Sequence, residues 1–332
     1  MKKPVYLLAG LLLAATPAAF ADPLWQDELN WLKTMTFAAH QTDYSGTFVY
    51  QHDNHVETSR ITHVVDRDGE HSRLESMDGA RREIIRNNDQ VFCYLGDDKV
   101  KVEERHGARQ FPALLPEQLS LLNENYLIKR AEEGRVAGFH AHAIVFQPKD
   151  NLRYTHKMWA HSDSGLLLKA EVLDERGHVI EQNAFTQLTI GGNLDRTWVV
   201  ADKSKHALLE GKSQHTRLSK AEAPPKADTS ANASGWQVDM LPAGFKKTNE
   251  LRRQMPGHNV PAIQLVFSDG LAGISVFIDV IDNDEDDYPG LSSQGVMQVY
   301  RRLTGDYLVT VVGEVPPRTV MQVADSVRHS GQ

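Results

Sequence analysis

Hydrophobic and polar positions alternate along most of the first half of the chain, in short runs separated by polar turn residues. The first run, Tyr44–Tyr50, is rich in the aromatic and β-branched residues that favour strands. Because strand side chains alternate, Phe48 and Tyr50 face one side and Thr47 and Val49 the other. Both sides carry apolar bulk, so the pattern predicts a strand that is covered on both faces.

Further runs of this kind follow at hairpin spacing up to residue 190, which predicts about ten strands. Turn pairs such as Asp68-Gly69 and Asp78-Gly79 separate them. The predicted strands after the first are 58–65, 71–77, 81–87, 91–95, 99–103, 126–131, 141–146, 154–160, 166–173 and 179–190. A helix is predicted before them over 24–39, where apolar residues recur at helical spacing. So many hairpins in series favour an open or closed barrel.

An apolar segment, Phe111–Pro116, interrupts the series and is bracketed by Pro112 and Pro116. Proline cannot donate to a strand ladder, so this segment is predicted to lie outside the central strands, with a short helix after it over 117–123. Loops normally follow a polar surface, and an apolar loop is therefore unusual. It either plugs the interior of the sheet or covers a binding cavity, and the sequence leaves both readings open.

The pattern changes after Gly191-Gly192, and a short helix is predicted over 198–209. Residues 214–234 are polar, aperiodic and rich in Pro, Ala and Ser, which is typical of a linker. A second unit follows, with strands predicted over 236–240, 262–268, 274–281 and 307–313 and a closing helix after Pro317. The predicted divisions are a signal peptide at 1–21, a first domain at 22–190, a linker at 191–235 and a second domain at 236–332.

The net charge and the N-terminal residues restrict the class of partner and the cellular compartment. A formal net charge of −8 over 332 residues argues against nucleic acid as a partner, because phosphate binding needs a basic field. Lys2 and Lys3, an apolar stretch and Ala19-Phe20-Ala21 form the pattern of a secretory signal peptide, with cleavage expected after Ala21. We therefore expect export to the periplasm. The single cysteine, Cys93, lies in an apolar run and is predicted to be a core residue.

Motifs for catalysis and metal binding are weak. The chain has no Gly-x-Ser-x-Gly elbow for a hydrolase. The acidic residues Asp282, Asp284 and Asp286 are spaced as in a calcium loop, but Asp287 stands where that loop requires glycine. His140 and His142 share a strand face without the further ligands that zinc needs. We predict no enzyme, no cofactor and no metal, and protonation of the histidines near pH 5–6 stays open as a sensing device.

A basic run offers more. In the predicted strand 81–87, Arg82 and Arg86 share one face with Ile84 between them, while Arg81 faces the other side. Guanidinium groups beside apolar surface suit an amphiphile with a phosphate or carboxylate head, which arginine binds through two parallel hydrogen bonds. Ordinary ion pairs of these arginines with Glu75, Glu83 or Glu103 are the alternative.

Motifs spread over both predicted domains resemble the periplasmic sigma-E regulatory proteins, the RseB/MucB family. The segments that bear the resemblance are YSGTFVY at 44–50, GARREIIR at 79–86, Trp236 with LPAGF at 241–245, SDGL at 268–271 and VVGEVPP at 311–317. The acidic loop 282–287 and the long polar linker depart from the family pattern.

The resemblance implies an α+β, mainly antiparallel β fold. Its N-terminal domain would be an unclosed β-barrel similar to the lipoprotein carriers LolA and LolB, partly filled by helices and loops. A small C-terminal α/β domain would follow. The family role is binding without catalysis: such proteins bind the periplasmic domain of a membrane-spanning, RseA/MucA-like anti-sigma factor and shield it from site-1 proteolysis. Lipid or lipopolysaccharide fragments release that shield.

A periplasmic lipid or lipoprotein carrier is the competing function, although it leaves the C-terminal domain unexplained. The sequence does not fix the oligomeric state, and a homo-oligomer stays open. The residues predicted to bind lipid or partner are Arg81, Arg82 and Arg86 as polar anchors and Phe111, Leu114 and Leu115 near the lipid cavity.

Overall fold

The computed structural model describes residues 23–88, 90–96, 98–102, 110–116, 118–199, 234–253, 261–281 and 289–330. Within these ranges, no helix has both the length and the apolar character needed to cross a membrane. The predicted helix 198–209, the linker 214–234 and the acidic loop 282–287 lie wholly or almost wholly outside the described residues.

The N-terminal domain contains α1 (Pro23–Gln41), β1 (Tyr44–His52), β2 (His55–Asp66), β3 (Gly69–Ser76), β4 (Arg82–Asn87), β5 (Gln90–Leu95), β6 (Asp98–Val102), a 3-10 turn (Leu119–Leu121), α2 (Leu122–Asn125), β7 (Tyr126–Val136), β8 (Phe139–Pro148), β9 (Thr155–His161), β10 (Leu167–Leu173) and β11 (Val179–Ile190). The C-terminal domain contains β12 (Trp236–Val238), β13 (Lys246–Arg253), β14 (Ala262–Ser268), β15 (Gly273–Val280), β16 (Gly290–Gln294), β17 (Met297–Thr304), β18 (Tyr307–Gly313), α3 (Pro317–Asp325) and β19 (Val327–His329).

The first eleven strands form one antiparallel sheet in the order β6-β5-β4-β3-β2-β1-β11-β10-β9-β8-β7. The first strand therefore lies in the middle, paired with β2 on one side and β11 on the other. The edge strands β6 and β7 do not pair within the described residues, so the sheet curls without closing. This confirms the unclosed barrel that the family resemblance implied.

Helix α1 lies against the concave face of this sheet. It buries Leu32, Met35 and Ala38 in one apolar core with Tyr44 and Phe48 of β1. Those helical residues recur at spacings of three, which gives the helix the apolar stripe that its sequence predicted. The concave face is thus the inside of the domain.

The convex face corrects one prediction, since β1 is not covered on both sides. Ser45 and Thr47 point outwards, remain half-buried and border an open groove of about 170 Å³ lined by polar side chains. The β-branched and aromatic character of β1 identified the strand correctly. It did not distinguish a packed face from one that meets water.

The C-terminal domain is a six-stranded antiparallel sheet in the order β13-β14-β15-β18-β17-β16, with the short pair β12–β19 beside it. Helix α3 packs on one face and buries Val320, Val323 and Ala324 against the sheet. Strands β13, β16, β17 and β19 were not predicted, because β13 and β16 are polar and largely exposed, β17 interrupts its apolar residues with two arginines, and β19 has only three residues. The small sheet with one helix agrees with the predicted fold class, and the exact domain limits stay predictions.

Candidate functional site

The apolar segment at 110–116, which we call the plug, fills the concave face of the large sheet. Phe111 is 4% exposed and Leu115 is 7% exposed. The ring of Phe111 meets those of Phe48 and Phe185 at centroid distances of 5.1 and 5.0 Å. Leu114 is half-buried and packs against the same core. Of the two readings left open by the sequence, the structure has the one in which the segment plugs the sheet.

A small cavity remains between the plug and α1. Its volume is about 10 Å³, and its lining includes Met35 and His40 of α1 together with Leu114 and Leu115 of the plug. A single water needs roughly 10–15 Å³. An acyl chain therefore has no room there while the plug is in place.

Arg82 and Arg86 lie on the concave face of β4, as the strand alternation predicted. Ile84 stands between them and pairs across the sheet with Leu74 and Cys93. Residues that pair directly share a face. This apolar line therefore continues the core outwards along β3, β4 and β5, and burial decreases along it until Cys93 is only half-buried. The prediction of Cys93 as a core residue is therefore only partly right.

The arginines and the plug are not in contact. The plug packs on β1 and β11, whereas the arginines sit on β4, three strand spacings or about 14 Å from β1. Arg81 precedes β4 and, like Arg82, is exposed. The six predicted residues thus form two groups on and beside one concave surface.

Two of the three acidic partners expected for these arginines, Glu75 and Glu83, form ion pairs with a different arginine. Arg73 on β3 donates through Nε to Glu83 at 2.5 Å and through Nη2 to Glu75 at 2.8 Å. Glu75 and Glu83 face each other across β3 and β4, so the guanidinium relieves the repulsion between two like charges. Glu103, the third predicted partner, lies outside the described residues.

A histidine and glutamate cluster ties α1 to the sheet beside the cavity. Glu70 accepts hydrogen bonds from His40 of α1 at 3.1 Å and from the buried His63 of β2 at 3.0 Å. Burial alone would raise the pKa of Glu70, but the two histidines lower it to about 2. His63 also stacks on Tyr44. This cluster fixes the end of α1, one wall of the plugged face.

The two domains meet at a junction whose inner contact is a buried ion pair. Arg153, in the loop between β8 and β9, donates through Nε to Oδ2 of Asp269 at 2.6 Å. The same oxygen accepts from the hydroxyl of Tyr126 at 2.9 Å. The side chains of Arg153 and Asp269 are 1% and 0% exposed. Burial and the charge of Asp269 raise the pKa of Tyr126 well above its ordinary value, so Tyr126 remains a donor.

Neighbouring groups complete the environment of both charges. The guanidinium of Arg153 also binds Asp150 and the carbonyl of Ala243, and it lies 5.0 Å from the ring centre of Phe245. The other oxygen of Asp269 accepts from the N–H groups of residues 271 and 272 at 2.9 and 2.8 Å. A buried charge is costly unless it is paired and hydrogen-bonded. Both charges meet that condition here, and docking adds the partner from the other domain to those that each charge has within its own.

Apolar and steric contacts surround the ion pair. Leu271 of the C-terminal domain is buried within the core of the N-terminal domain. Gly244 has a φ of +81° and packs against Asn125, so a Cβ there would lie 2.4 Å from Cγ of Asn125. The domains therefore touch without intervening space at this point.

An outer contact lies at the turn between β16 and β17. Glu181 of β11 accepts from the hydroxyl of Tyr50 at 2.9 Å and from the N–H of Val296. The N–H of Gly295 donates to Asp53 at 3.3 Å. Burial raises the pKa of Glu181 more than these donors and the nearby His52 lower it. This contact is more open than the inner one, since Asp53 is exposed.

The junction was missed at the sequence level. Arg153 and Asp269 are separated by 116 residues, and neither stands in a motif that marks a partner. The Asp269-Gly270 pair signalled only a hairpin turn.

The candidate metal residues stay separate. Within the ranges that the structure describes, no group of three or more His, Cys, Asp or Glu side chains is arranged to hold a metal ion. His142 faces Glu133 at 3.3 Å and meets the edge of Trp31. Asp282, Asp284 and Asp286 lie outside the described residues.

Solved structures share this architecture across both domains. The crystal structure of MucB in complex with MucA(peri) superposes with a TM-score of 0.67 at 29% identity, over 91% of this chain and 98% of that one. The complex structure of Pseudomonas aeruginosa MucA/MucB gives a TM-score of 0.69 at 30% identity, over 91% and 99% of the two chains.

Sequence comparison agrees. The chain is 33% identical over 330 residues to the sigma factor AlgU regulatory protein MucB of Pseudomonas aeruginosa, covering 97% of this chain and 96% of that one. It is 25% identical to the sigma-E factor regulatory protein RseB of Escherichia coli, with the same coverage. Residues 27–203 match the MucB/RseB N-terminal domain and residues 230–328 the MucB/RseB C-terminal domain. The chain therefore belongs to the MucB/RseB family.

Proposed function

We propose that this protein is a periplasmic negative regulator of an envelope stress response. It binds the periplasmic domain of a membrane-spanning anti-sigma factor and protects that domain from site-1 proteolysis. Lipid or lipopolysaccharide fragments release it from the anti-sigma factor. It acts by binding and not by catalysis.

The observation that supports the partner most strongly is the match, over 91% of this chain, to MucB solved with MucA(peri). A match restricted to the N-terminal domain would have favoured a carrier. The junction orders the two domains into one continuous surface, which suits a partner that contacts both. The expected secretory signal at residues 1–21 supports the compartment.

The geometry of the concave face supports an amphiphile as the releasing ligand. Its centre is apolar and filled by the plug, while Arg82 and Arg86 lie about 14 Å to one side on β4. An acyl chain in the centre would place an anionic head group within reach of these arginines, which bind phosphate and carboxylate in the same forked geometry. Apolar lining with a few convergent polar groups is typical of such sites.

Partner binding is tested by calorimetric titration of the purified protein with the periplasmic domain of the anti-sigma factor from the same organism. We expect a complex with a Kd in the micromolar range or tighter, and slower cleavage of that domain by its site-1 protease. Absence of a complex at tens of micromolar would reject the proposed regulator.

The polar anchors on the concave face are tested by Arg82→Ala combined with Arg86→Ala. We expect weaker lipopolysaccharide binding, by about tenfold, because two charge-assisted contacts are lost. Arg176→Ala is the matched control, since Arg176 is an exposed arginine on a turn of the same domain. Equal binding by the double variant and the control would remove these residues from the site.

The plug residues are tested by Leu114→Asp, which places a charge on the half-buried plug side chain. We expect tighter lipid binding, because a charge on the plug weakens its packing and the acyl chain needs the space that the plug fills. Unchanged lipid binding would place the acyl chain elsewhere.

A lipid or lipoprotein carrier is the second candidate, favoured by the apolar concave face alone. It predicts that the protein moves lipoprotein between two membrane preparations. The proposed regulator predicts no transfer above background, and transfer without anti-sigma binding would favour the carrier.

A further inference from the structure

The plug and the C-terminal domain are packed against each other. Gly270, in the turn between β14 and β15, lies so close to the N-terminal domain that a Cβ there would be 3.3 Å from Leu122 and 3.5 Å from Pro116, the last plug residue. The next residue, Leu271, belongs to the same buried core as Phe111 and Leu115. One turn of the C-terminal domain therefore completes the core that the plug begins.

The same turn carries the buried charge of the junction. Asp269 directly precedes Gly270, and its carboxylate binds Tyr126 and Arg153 of the N-terminal domain. Tyr126 is the first residue of β7 and directly follows α2, which contains Leu122. Residues 269–271 therefore make both the apolar packing against the plug and the ion pair that docks the domain.

The cavity beside the plug is too small to hold an acyl chain. The cavity beside the plug is about 10 Å³, and the rings of Phe48, Phe111 and Phe185 are in mutual contact. Close-packed cores respond to an inserted group by switching between discrete arrangements more readily than by gradual deformation. An acyl chain can therefore enter only if the plug leaves.

We propose that displacement of the plug by an acyl chain and undocking of the C-terminal domain are one coupled event. The inference rests on the lipid ligand of the proposed function and adds how that ligand would act. When the plug leaves, Pro116 and Leu122 no longer support the 269–271 turn, and Leu271 loses its apolar partners. The domain then loses the orientation in which both charges of the inner contact are paired.

Coupling of this kind is reciprocal: if the ligand weakens docking, weakened docking strengthens ligand binding by the same factor. The two variants Asp269→Asn and Leu271→Ala weaken docking from the C-terminal side and leave every plug residue unchanged. Coupling energies between sites commonly correspond to about 5- to 150-fold in affinity. We therefore expect both variants to bind an acyl probe about tenfold more tightly than the wild-type protein.

The probe is dansyl-labelled undecanoic acid, titrated into the full-length mature protein and followed by its fluorescence. Arg318→Ala is the control, because Arg318 pairs with Glu175 across the junction at an exposed position remote from the plug. We expect its affinity for the probe to stay within twofold of wild type. Thermal unfolding of each variant establishes that it is folded, and Arg153→Lys serves as a third docking variant if either of the others does not fold.

A distance measurement tests the other direction of the coupling. Spin labels are placed at cysteines replacing Asp163 and Arg328, one exposed position in each domain, in a Cys93→Ser background. We expect saturating probe to broaden the label-to-label distance distribution of the wild-type protein towards that of Asp269→Asn without probe.

The outcomes separate the coupling from the ligand. Equal probe affinity in the wild-type and docking variants, or an unchanged distance distribution at saturating probe, would reject the coupling while leaving lipid binding intact. Failure of the probe to bind any variant would reject the acyl ligand itself, and the coupling with it.

Discussion

The inner and outer contacts of the domain junction each hold a carboxyl group of one domain against the other domain, but the two carboxyl groups differ in burial and in partners. The inner contact pairs Arg153 with Asp269 in an almost fully buried setting, where every charged atom has a fixed partner. The outer contact holds Glu181 under the 295–296 turn, where the carboxyl has two donors and a raised pKa. A buried ion pair adds little net stability but is costly to break. The inner contact thus defines one orientation, and the outer contact makes its strength depend on pH.

The largest effect should come from removing the acid of the inner contact. Asp269→Ala leaves Arg153 buried without its main partner and also removes the acceptor for two N–H groups of the turn. We expect a loss of about 3–5 kcal/mol in the unfolding free energy of the docked protein, measured by urea titration. Asp163→Ala, on an exposed turn, is the control and should have little effect. A loss below about 1 kcal/mol would show that the pair does not hold the domains together.

Removing the arginine of the inner contact should lower the free energy of unfolding by less. After Arg153→Met, Asp269 still accepts from Tyr126 and from the N–H groups of residues 271 and 272. The methionine also keeps apolar contact with the ring of Phe245. We expect a loss of about 2–3 kcal/mol in the same titration. If Arg153→Met proved more damaging than Asp269→Ala, the assignment of Asp269 as the better-supported charge would be wrong.

The outer contact should respond to pH in a defined direction. Because burial raises the pKa of Glu181, the folded protein holds this proton over a pH range in which the unfolded chain has already lost it. The stability from this proton is therefore present below the ordinary glutamate pKa and is lost as the pH rises through the raised value. Glu181→Gln mimics the protonated form, so we expect it to be more stable than the wild-type protein at neutral pH and equally stable at pH 4.

Stability measured from pH 4 to pH 8 in the wild-type and Gln variants tests this assignment. The difference between them should grow with pH. A difference that is constant across this range would mean that Glu181 titrates alike in the folded and unfolded protein.

The smallest effect is expected at the rim of the junction. Arg318 and Glu175 form an ion pair in which both side chains are about half exposed. Exposed pairs typically contribute less than about 0.5 kcal/mol, so Arg318→Ala should be nearly silent in urea titration. A loss above about 1 kcal/mol would place a substantial part of the docking energy at the rim and weaken the distinction between buried and open contacts.

Local patterns in the sequence were sufficient for most of the large sheet. Alternation and turn pairs identified its strands, and two prolines placed the plug outside the ladder. Strands β13 and β16 were not predicted, because their residues are polar and face solvent. They form through pairing with a neighbouring strand and not through their own propensity. The family resemblance supplied the open barrel, which alternation alone could not distinguish from a closed one.

Only part of the candidate site was predicted from the sequence. The plug and the face of Arg82 and Arg86 follow from local spacing, and the structure agrees on both placements. Cavity size does not follow from spacing, because it depends on how α1 and the plug fill the same volume. The junction joins residues more than a hundred positions apart, and a single sequence contains no measure of that distance.

At Gly244 the two domains lie so close together that there is no space for a side chain beside Asn125. A side chain there would overlap that of Asn125, whose nearest atom would lie 2.1 Å from the new Cβ. A wedge built at this one position, such as Gly244→Asn, would tolerate the left-handed backbone and hold the domains apart without touching a charge or the plug. The chain therefore contains a place where a permanently released form can be made by a single substitution, which would allow the consequences of separation to be observed with no ligand present.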